Sequence, residues 1–451
     1  MKNNFISILL ISLVIIWGIN CKQEDTTPNT DNYNPAQHNH LIKSSRIFGN
    51  GGEETVFKCM INSADGNAYY IMYNKNNATS FDVVVGSNGI PVSSSSTSNT
   101  ANYEIGKIQF DGTKIWNKYT GFSARRINTL PFNSGKLKDA IAAVGHNSNS
   151  GFIAVYAEDG QKICEKAVSQ INKSVWFNSV KVMRYDANYT YLTALGGLND
   201  TLNHITYPYL ANFRLNNSAL TLTIESENWF TMLPQEHFVN FELTNEVGTP
   251  IIATTNNEDD SKIGAFKISS NNIIIWQQHF NEPNGAIYIN MYNKIICDNQ
   301  RIYLNGVTDD NTKAVSSLGN KWKSGLVMCL DNNGNVQWRQ KVSLTKEEEY
   351  GNNLLKYGNY LLLTGTHSSY CSLNNDKKCE YSRSNGLISK IDMLSGNIVA
   401  NYTFGEKNSA SGLYNSVIIN NAKLLLGGYT NFDSSKGIYQ GWLIGVNLSD
   451  L

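Results

Sequence analysis

Residues 325–341 read GLVMCLDNNGNVQWRQK. An apolar run from Leu326 to Leu330 meets the polar turn Asp331-Asn332-Asn333-Gly334. A second run then carries Trp338. The pattern is two strands joined by a tight hairpin, with Asn and Gly supplying the positive φ that such turns need. The same shape recurs along the chain. It appears as IGKIQFDGTKIWNKYTG ending at Gly121, GFIAVYAEDGQKICEKAV ending at Val168 and LANFRLNNSALTLTIES ending at Ser226. It returns as IGAFKISSNNIIIWQQHF ending at Phe280, GLISKIDMLSGNIVANYTFG ending at Gly405 and GWLIGVNLSDL ending at Leu451. A spacing of roughly 50 to 60 residues falls among propeller periods.

Two further apolar stretches precede the later hairpins. IYINMYNKIICDNQRIYLNGVT comes before the fifth, LLKYGNYLLLTGT before the sixth and SVIINNAKLLLGGYT before the seventh. The unit is therefore four strands, the content of a propeller blade. The chain is expected to be all-β, an antiparallel propeller of about seven blades, the second and third units being the least clearly marked. The seventh unit stops at Leu451 after its third strand. The segment SSRIFGNGGEE, Ser44 to Glu54, supplies the missing outer strand. Pairing the N-terminal strand with the last unit closes the ring and removes open sheet edges, while neighbouring repeats bury a continuous core.

Asp331, Gly334 and Trp338, and after them Asp111 and Trp116, give the hairpins a form that resembles the blades of quinoprotein-like propellers. The pattern is similar as well to the short propeller repeats of bacterial surface and exported proteins. The resemblance spans most of residues 44–451 at the level of blade pattern. The Trp that follows the turn is missing from the second, third, sixth and seventh units. A quinone-dependent dehydrogenase is not expected, since the chain is short and the adjacent cysteine pair many such enzymes carry is absent.

Composition agrees with this class. The chain has 451 residues, with Lys+Arg 37 balancing Asp+Glu 37, so no basic face for nucleic acid is expected. Charged residues make up only 16%, whereas Tyr (24), Trp (8) and Gly (35) are well represented, as strands and turns require. No long stretch keeps a helical 3.6-residue period.

The chain opens MKNNFISILLISLVIIWGIN before Cys21. Lys2, the apolar run from Phe5 to Trp17 and the cysteine resemble a bacterial lipoprotein signal peptide. Gly18 and Asn20 stand where Leu and Gly or Ala are usual. The apolar core is short for a span of ~20 residues. The resemblance implies a signal peptide over 1–20, lipidation of Cys21, a polar tether over 21–43 and the propeller over 44–451. The protein would then be held by a lipid anchor in the cell envelope, on the outer membrane. Glu24 and Asp25 resemble the signals that send some lipoproteins to the cell surface.

In a propeller the loops after the second and fourth strands share one face, and here those are the long ones. Binding concentrates on such loops. Trp176, Trp229, Trp322 and Tyr370 fall in or beside them, suited to stacking on a sugar ring or anchoring a protein. A glycan or an envelope or host protein is the expected ligand. His146 and His367 follow second strands on the same face and, with Glu347, Glu348 or Asp259, could serve acid–base work. That makes a glycoside hydrolase or lyase at the channel mouth the competing reading. No nucleophile motif such as GxSxG occurs. Cys371 and Cys379 flank SLNNDKK and form a plausible loop disulfide. Cys59, Cys164, Cys297 and Cys329 fall in predicted strands as small apolar side chains. Glu258, Asp259 and Asp260 offer oxygen ligands for calcium without an EF-hand pattern, so no cofactor is expected.

Overall fold

The structure is a computed structural model. It describes residues 38–451 except 49–52, 77–100, 133–134, 232, 247–249, 258–261, 282–285, 290–292, 299, 310–322, 345–347, 374–378, 406–409 and 432–439. Strand β1 (Ile42–Phe48) comes first. Blade 1 is β2 (Glu53–Asn62), β3 (Ala68–Asn76), β4 (Ala101–Ile108) and β5 (Lys114–Tyr119). Blade 2 is β6 (Ser123–Thr129), β7 (Ile141–Asn147), β8 (Ser150–Tyr156) and β9 (Lys162–Val168). Blade 3 is β10 (Lys173–Tyr185), β11 (Tyr189–Asp200), β12 (Ile205–Asn216) and β13 (Thr221–Trp229). Blade 4 is β14 (Glu236–Leu243), β15 (Ile251–Asn257), β16 (Ile263–Ile268) and β17 (Ile274–Phe280). Blade 5 has a divided inner strand, β18 (Ile287–Tyr288) and β19 (Ile295–Asp298), followed by β20 (Arg301–Asp309), β21 (Lys323–Asp331) and β22 (Val336–Val342). Blade 6 is β23 (Glu348–Tyr357), β24 (Tyr360–Leu373), β25 (Cys379–Asp392) and β26 (Ile398–Phe404). Blade 7 is β27 (Ala410–Ile419), β28 (Lys423–Asn431) and β29 (Gln440–Asn447), completed by β1.

The chain is a seven-bladed β-propeller. Its closure is the expected one: β1 runs antiparallel to β29, from Ile42 opposite Val446 to Phe48 opposite Gly441. The strand begins at Ile42, two residues before the segment read from sequence, and Glu53 already belongs to blade 1. Trp442 Nε1 donates to Ser45 Oγ across the seam at 3.2 Å.

Seven hydrophobic clusters lie one at each blade–blade interface. In β21, Leu326, Met328 and Leu330 pack toward blade 4, while Val327 and Cys329 pack toward blade 6. Alternation sends successive side chains to opposite faces, and both faces are buried, so the opening run of residues 325–330 is apolar throughout. Its turn also has a partner. Trp276 of blade 4 donates Nε1–H to Asn332 O at 2.8 Å, and a Cβ at Gly334 would lie 3.0 Å from that indole. Trp116 docks likewise on the turn of blade 2, bonding Glu158 O at 2.5 Å, and Trp338 lies against Gly396 of blade 6. The turn glycine thus allows the hairpin its positive φ (+83° at Gly334) and leaves room for the preceding blade's indole.

Six inner strands carry a β-bulge, after which come Cys59, Arg126, Ser179, Asn240, Asn353 and Asn415. In blade 5, continuing the Ile295↔Leu304 register back one residue sets Lys294 opposite Asn305, at the same level. The bulges free backbone carbonyls, and side-chain amides of neighbouring blades satisfy them. Asn178 donates to Phe238 O (2.7 Å), Asn240 to Asn293 O (2.9 Å) and Asn305 to Gly351 O (3.2 Å). Asn352 donates to Leu413 O (2.9 Å) and Asn415 to Lys58 O (2.7 Å).

Opposite four bulges the second strand has glycine. A Cβ at Gly145, Gly196, Gly365 or Gly428 would sit 1.7–1.9 Å from a carbonyl oxygen of the inner strand. Gly365→Ala is therefore expected to cost about 3 kcal/mol or more, because the obstacle is the Tyr350 backbone rather than a mobile side chain. Urea unfolding of the variant checks this, and an unchanged midpoint would contradict it.

Candidate functional site

Residue 125 is the extra residue of the blade 2 bulge, between Ala124 and Arg126 in the register. Arg125 lies within electrostatic reach of His146, the penultimate residue of β7, and of His237, the second residue of β14. Both imidazoles are half-buried. Burial, and then the Arg125 guanidinium, pull each of them down to about 4. His237 meets Trp176 edge-on, with ring centroids 5.9 Å apart. The Trp176 ring rests on blade 3 where Gly197 leaves space: a Cβ there would lie 2.2 Å from the indole. One cation, two neutral imidazoles and one indole thus gather where the inner strands of blades 2, 3 and 4 begin, on the face that carries the long loops.

Glu236, beside His237 in β14, is already engaged. Glu236 accepts the Thr255 hydroxyl at 2.5 Å and lies 2.9 Å from His279 Nε2. Among the described residues His146 Nδ1 is buried without a hydrogen-bond partner. No three His, Cys, Asp or Glu side chains among the described residues converge as a metal site would require.

Of the residues singled out in the sequence, His146 and Trp176 come together here. Trp176 lies in inner strand β10, because that strand starts at Lys173 rather than after a loop. His367 sits apart, in β24 of blade 6. Its Nδ1 lies 3.2 Å from Glu349 Oε1, and the register sets Glu349 opposite His367 and Glu348 opposite Ser368. Both members are buried, and Glu349 also accepts the Leu344 amide at 3.1 Å. Trp229 ends outer strand β13, exposed at 38%, with the Lys173 ammonium 4.5 Å from its ring centroid. Tyr370 pairs through its backbone with Arg383, Cys371 with Tyr381 and Cys379 with Leu373. The side chains of Tyr370, Cys371 and Cys379 lie outside the described residues, as do Cys21, Glu258, Asp259, Asp260, Trp322 and Glu347 entirely. Cys59 and Cys329 are buried free thiols, and Cys164 and Cys297 half-buried ones. Burial raises the Cys164 and Cys329 thiols to about 11 and the Cys297 thiol to about 12, which keeps them protonated.

Arg125 and His237 carried no motif that would single them out. The available signal was the Arg125-Arg126 pair inside an otherwise strand-like SARRINT. A second concavity also escaped the sequence. On the short-turn face, Thr129, Pro131, Val182, Met183, Arg184 and Tyr185 line a groove of about 430 Å³ between blades 2 and 3.

No protein-family profile matches the chain, and no curated protein is similar to it. Solved structures resemble it at low identity. BamB from Moraxella catarrhalis is 11% identical, with 75% of this chain and 88% of that one covered and a TM-score of 0.36. A protein of unknown function from Dyadobacter fermentans is 10% identical over 90% and 98%, with a TM-score of 0.43. The apocarotenoid oxygenase of Synechocystis is 8% identical over 86% of each, with a TM-score of 0.42. The fold assignment rests on the strand pairing itself.

Proposed function

We propose that this protein is a lipid-anchored envelope protein whose propeller is a binding module, and that the channel mouth of blades 2–4 takes an acidic glycan. The observation that carries this reading is the group Arg125, His146, Trp176 and His237. An indole stacks on the apolar face of a sugar ring. A guanidinium pairs with a uronate or other acidic substituent. Neutral imidazoles donate to and accept from hydroxyls. Glycoside hydrolysis, by contrast, asks for two carboxyl groups flanking the bond, and Glu236 is held by Thr255 and His279. The anchor at Cys21, the tether behind it and surface exposure through Glu24-Asp25 belong to the same proposal, as does a disulfide between Cys371 and Cys379.

Calorimetric titration with uronate-containing and neutral oligosaccharides tests the reading. Trp176→Ala is expected to weaken acidic-glycan binding at least tenfold, or about 1.4 kcal/mol. Arg125→Ala should act selectively on the acidic set. Binding unchanged in both variants would refute the site. New reducing ends from an incubated glycan would favour the hydrolase.

A further inference from the structure

Two turns stand side by side at the long-loop end of blade 3. The first joins blades 2 and 3. Lys173 N donates to Gln170 O at 3.2 Å, so Ile171 and Asn172 occupy the corners of a four-residue turn, and the positive φ of Asn172 (56°) suits its second corner. The other turn follows β11, where Asp200 Oδ1 accepts the amides of Leu202 at 3.0 Å and Asn203 at 3.2 Å. Asn172 O fastens the two turns together, accepting Thr201 N at 3.1 Å and Thr201 Oγ1 at 2.7 Å. The residues that flank this clasp are Ile171 and Leu202. They are exposed at 88% and 69%.

A single exposed aliphatic needs no account, but two held side by side on fastened turns do. Their neighbours say what meets them. The Lys173 ammonium lies 4.5 Å from the ring centroid of the part-exposed Trp229, so a cation and an indole stand just behind the aliphatic tip. Aliphatic groups foremost, with lysine and tryptophan behind, is the order across a bilayer surface. The first meet acyl chains, while an ammonium snorkels and an indole settles among headgroups. A protein partner fits less well, because three side chains offer far less than the ~800 Å² per partner of a standard interface. Nor does the base of the tip form a basic patch. Lys173 stands there with two carboxylates, Asp200 within its electrostatic reach and Glu227, which accepts Gln170 Nε2 at 2.7 Å. The chain also enters the ring on this face. Thr403 N donates to His38 Nδ1 at 3.2 Å and Gly405 N to Asn39 Oδ1 at 3.1 Å, where outer strand β26 ends. That last point bears on a membrane only through the lipid-anchor reading; the others stand without it.

We infer that Ile171 and Leu202 dip into the surface of a phospholipid bilayer, with Lys173 and Trp229 at headgroup level. The contact turns the long-loop face of the ring toward the lipid. Trp176 lies three residues beyond Lys173, about 10 Å down strand β10, so the channel mouth stays clear of the acyl chains.

Photo-crosslinking tests this on the full chain, mixed with vesicles of dioleoylphosphatidylcholine. The variant Ile171→benzoylphenylalanine is irradiated on the vesicles and its adducts are read by mass spectrometry. Leu394→benzoylphenylalanine is the control, since Leu394 is comparably exposed, at 70%, on the short-turn face. Phospholipid adducts at position 171 are expected at least tenfold above those at 394. Adding Leu202→Asp beside the probe should cut them at least tenfold, because a carboxylate at the tip resists burial among acyl chains. Should the first variant fail to fold, Leu202→benzoylphenylalanine repeats the measurement from the other turn. Adducts that persist in a chain carrying Cys21→Ser would support the tip even with the anchor reading refuted. Equal yields at 171 and 394, yields untouched by Leu202→Asp, or adducts from native envelope membranes that are protein and not lipid would overturn the inference.

Discussion

A chain that begins after Phe48, and so lacks β1, is expected to lose its cooperative thermal transition. β1 is the outer strand of blade 7, paired with β29 from Ile42 to Phe48. Removing it bares the hydrogen-bonding edge of β29, and an unpaired edge invites association with other chains. It also uncovers packing. Trp442, only 2% exposed, loses its Ser45 partner, and Phe48 no longer meets Phe57 edge-on at 5.3 Å. Stability in a repeat array is close to a sum of nearest-neighbour interfaces. A closed ring has one more interface than the same ring opened, and blade 7 supplies that seam. Circular dichroism melts and size-exclusion chromatography check this: the truncated chain should aggregate or melt broadly. A synthetic peptide of residues 38–48, added in trans, should restore the sharp transition by adding a strand to the open edge. A truncated chain that melts like the intact one would show that closure contributes nothing.

Acid should weaken the fold well before its carboxylates titrate. His146 and His237 have folded values near 4 against an ordinary 6.5, with burial the larger cause and Arg125 the second. The unfolded chain therefore takes up two protons that the folded chain refuses. The stability linked to these groups is complete above pH 6.5 and is lost as pH falls toward 4. Each imidazole contributes up to about 3 kcal/mol over that window, a large share of the total for a typical domain. Asp65, held down to about 2 where Lys107 and its hydrogen bonds outweigh burial, acts only below its ordinary 3.8. The window above pH 4 thus belongs to the imidazoles. Urea midpoints measured between pH 7 and pH 4 should fall steadily, and His146→Gln and His237→Gln should each flatten the slope. A wild-type midpoint constant over the range would refute the assignment.

Local physics made the blade legible. A hairpin needs its turn residues adjacent in sequence, and a strand buried on both faces needs an unbroken apolar run. GLVMCLDNNGNVQWRQK therefore announces two strands without knowledge of any neighbour. Counting such units, and noting that the last lacked its fourth strand, also placed β1. The site was not legible in this way. His146 was marked as a lone histidine near a strand end and Trp176 as a loop aromatic, yet nothing adjacent to either names Arg125 or His237. Glu349 was not singled out beside His367, because one residue of register decides whether Glu348 or Glu349 stands opposite it. The bulges have the same character. Each inserts one residue and re-aims the next side chain, and four of them face a glycine on the second strand. Which inner-strand residues meet at the channel depends on those insertions in six separate strands. The sequence by itself determined the repeating unit, a count of about seven and the closure of the ring, because hairpins and alternation are local. Only the tertiary structure decided that Arg125, His146, Trp176 and His237 share one mouth, because that meeting is set by bulge and register across blades far apart in the chain.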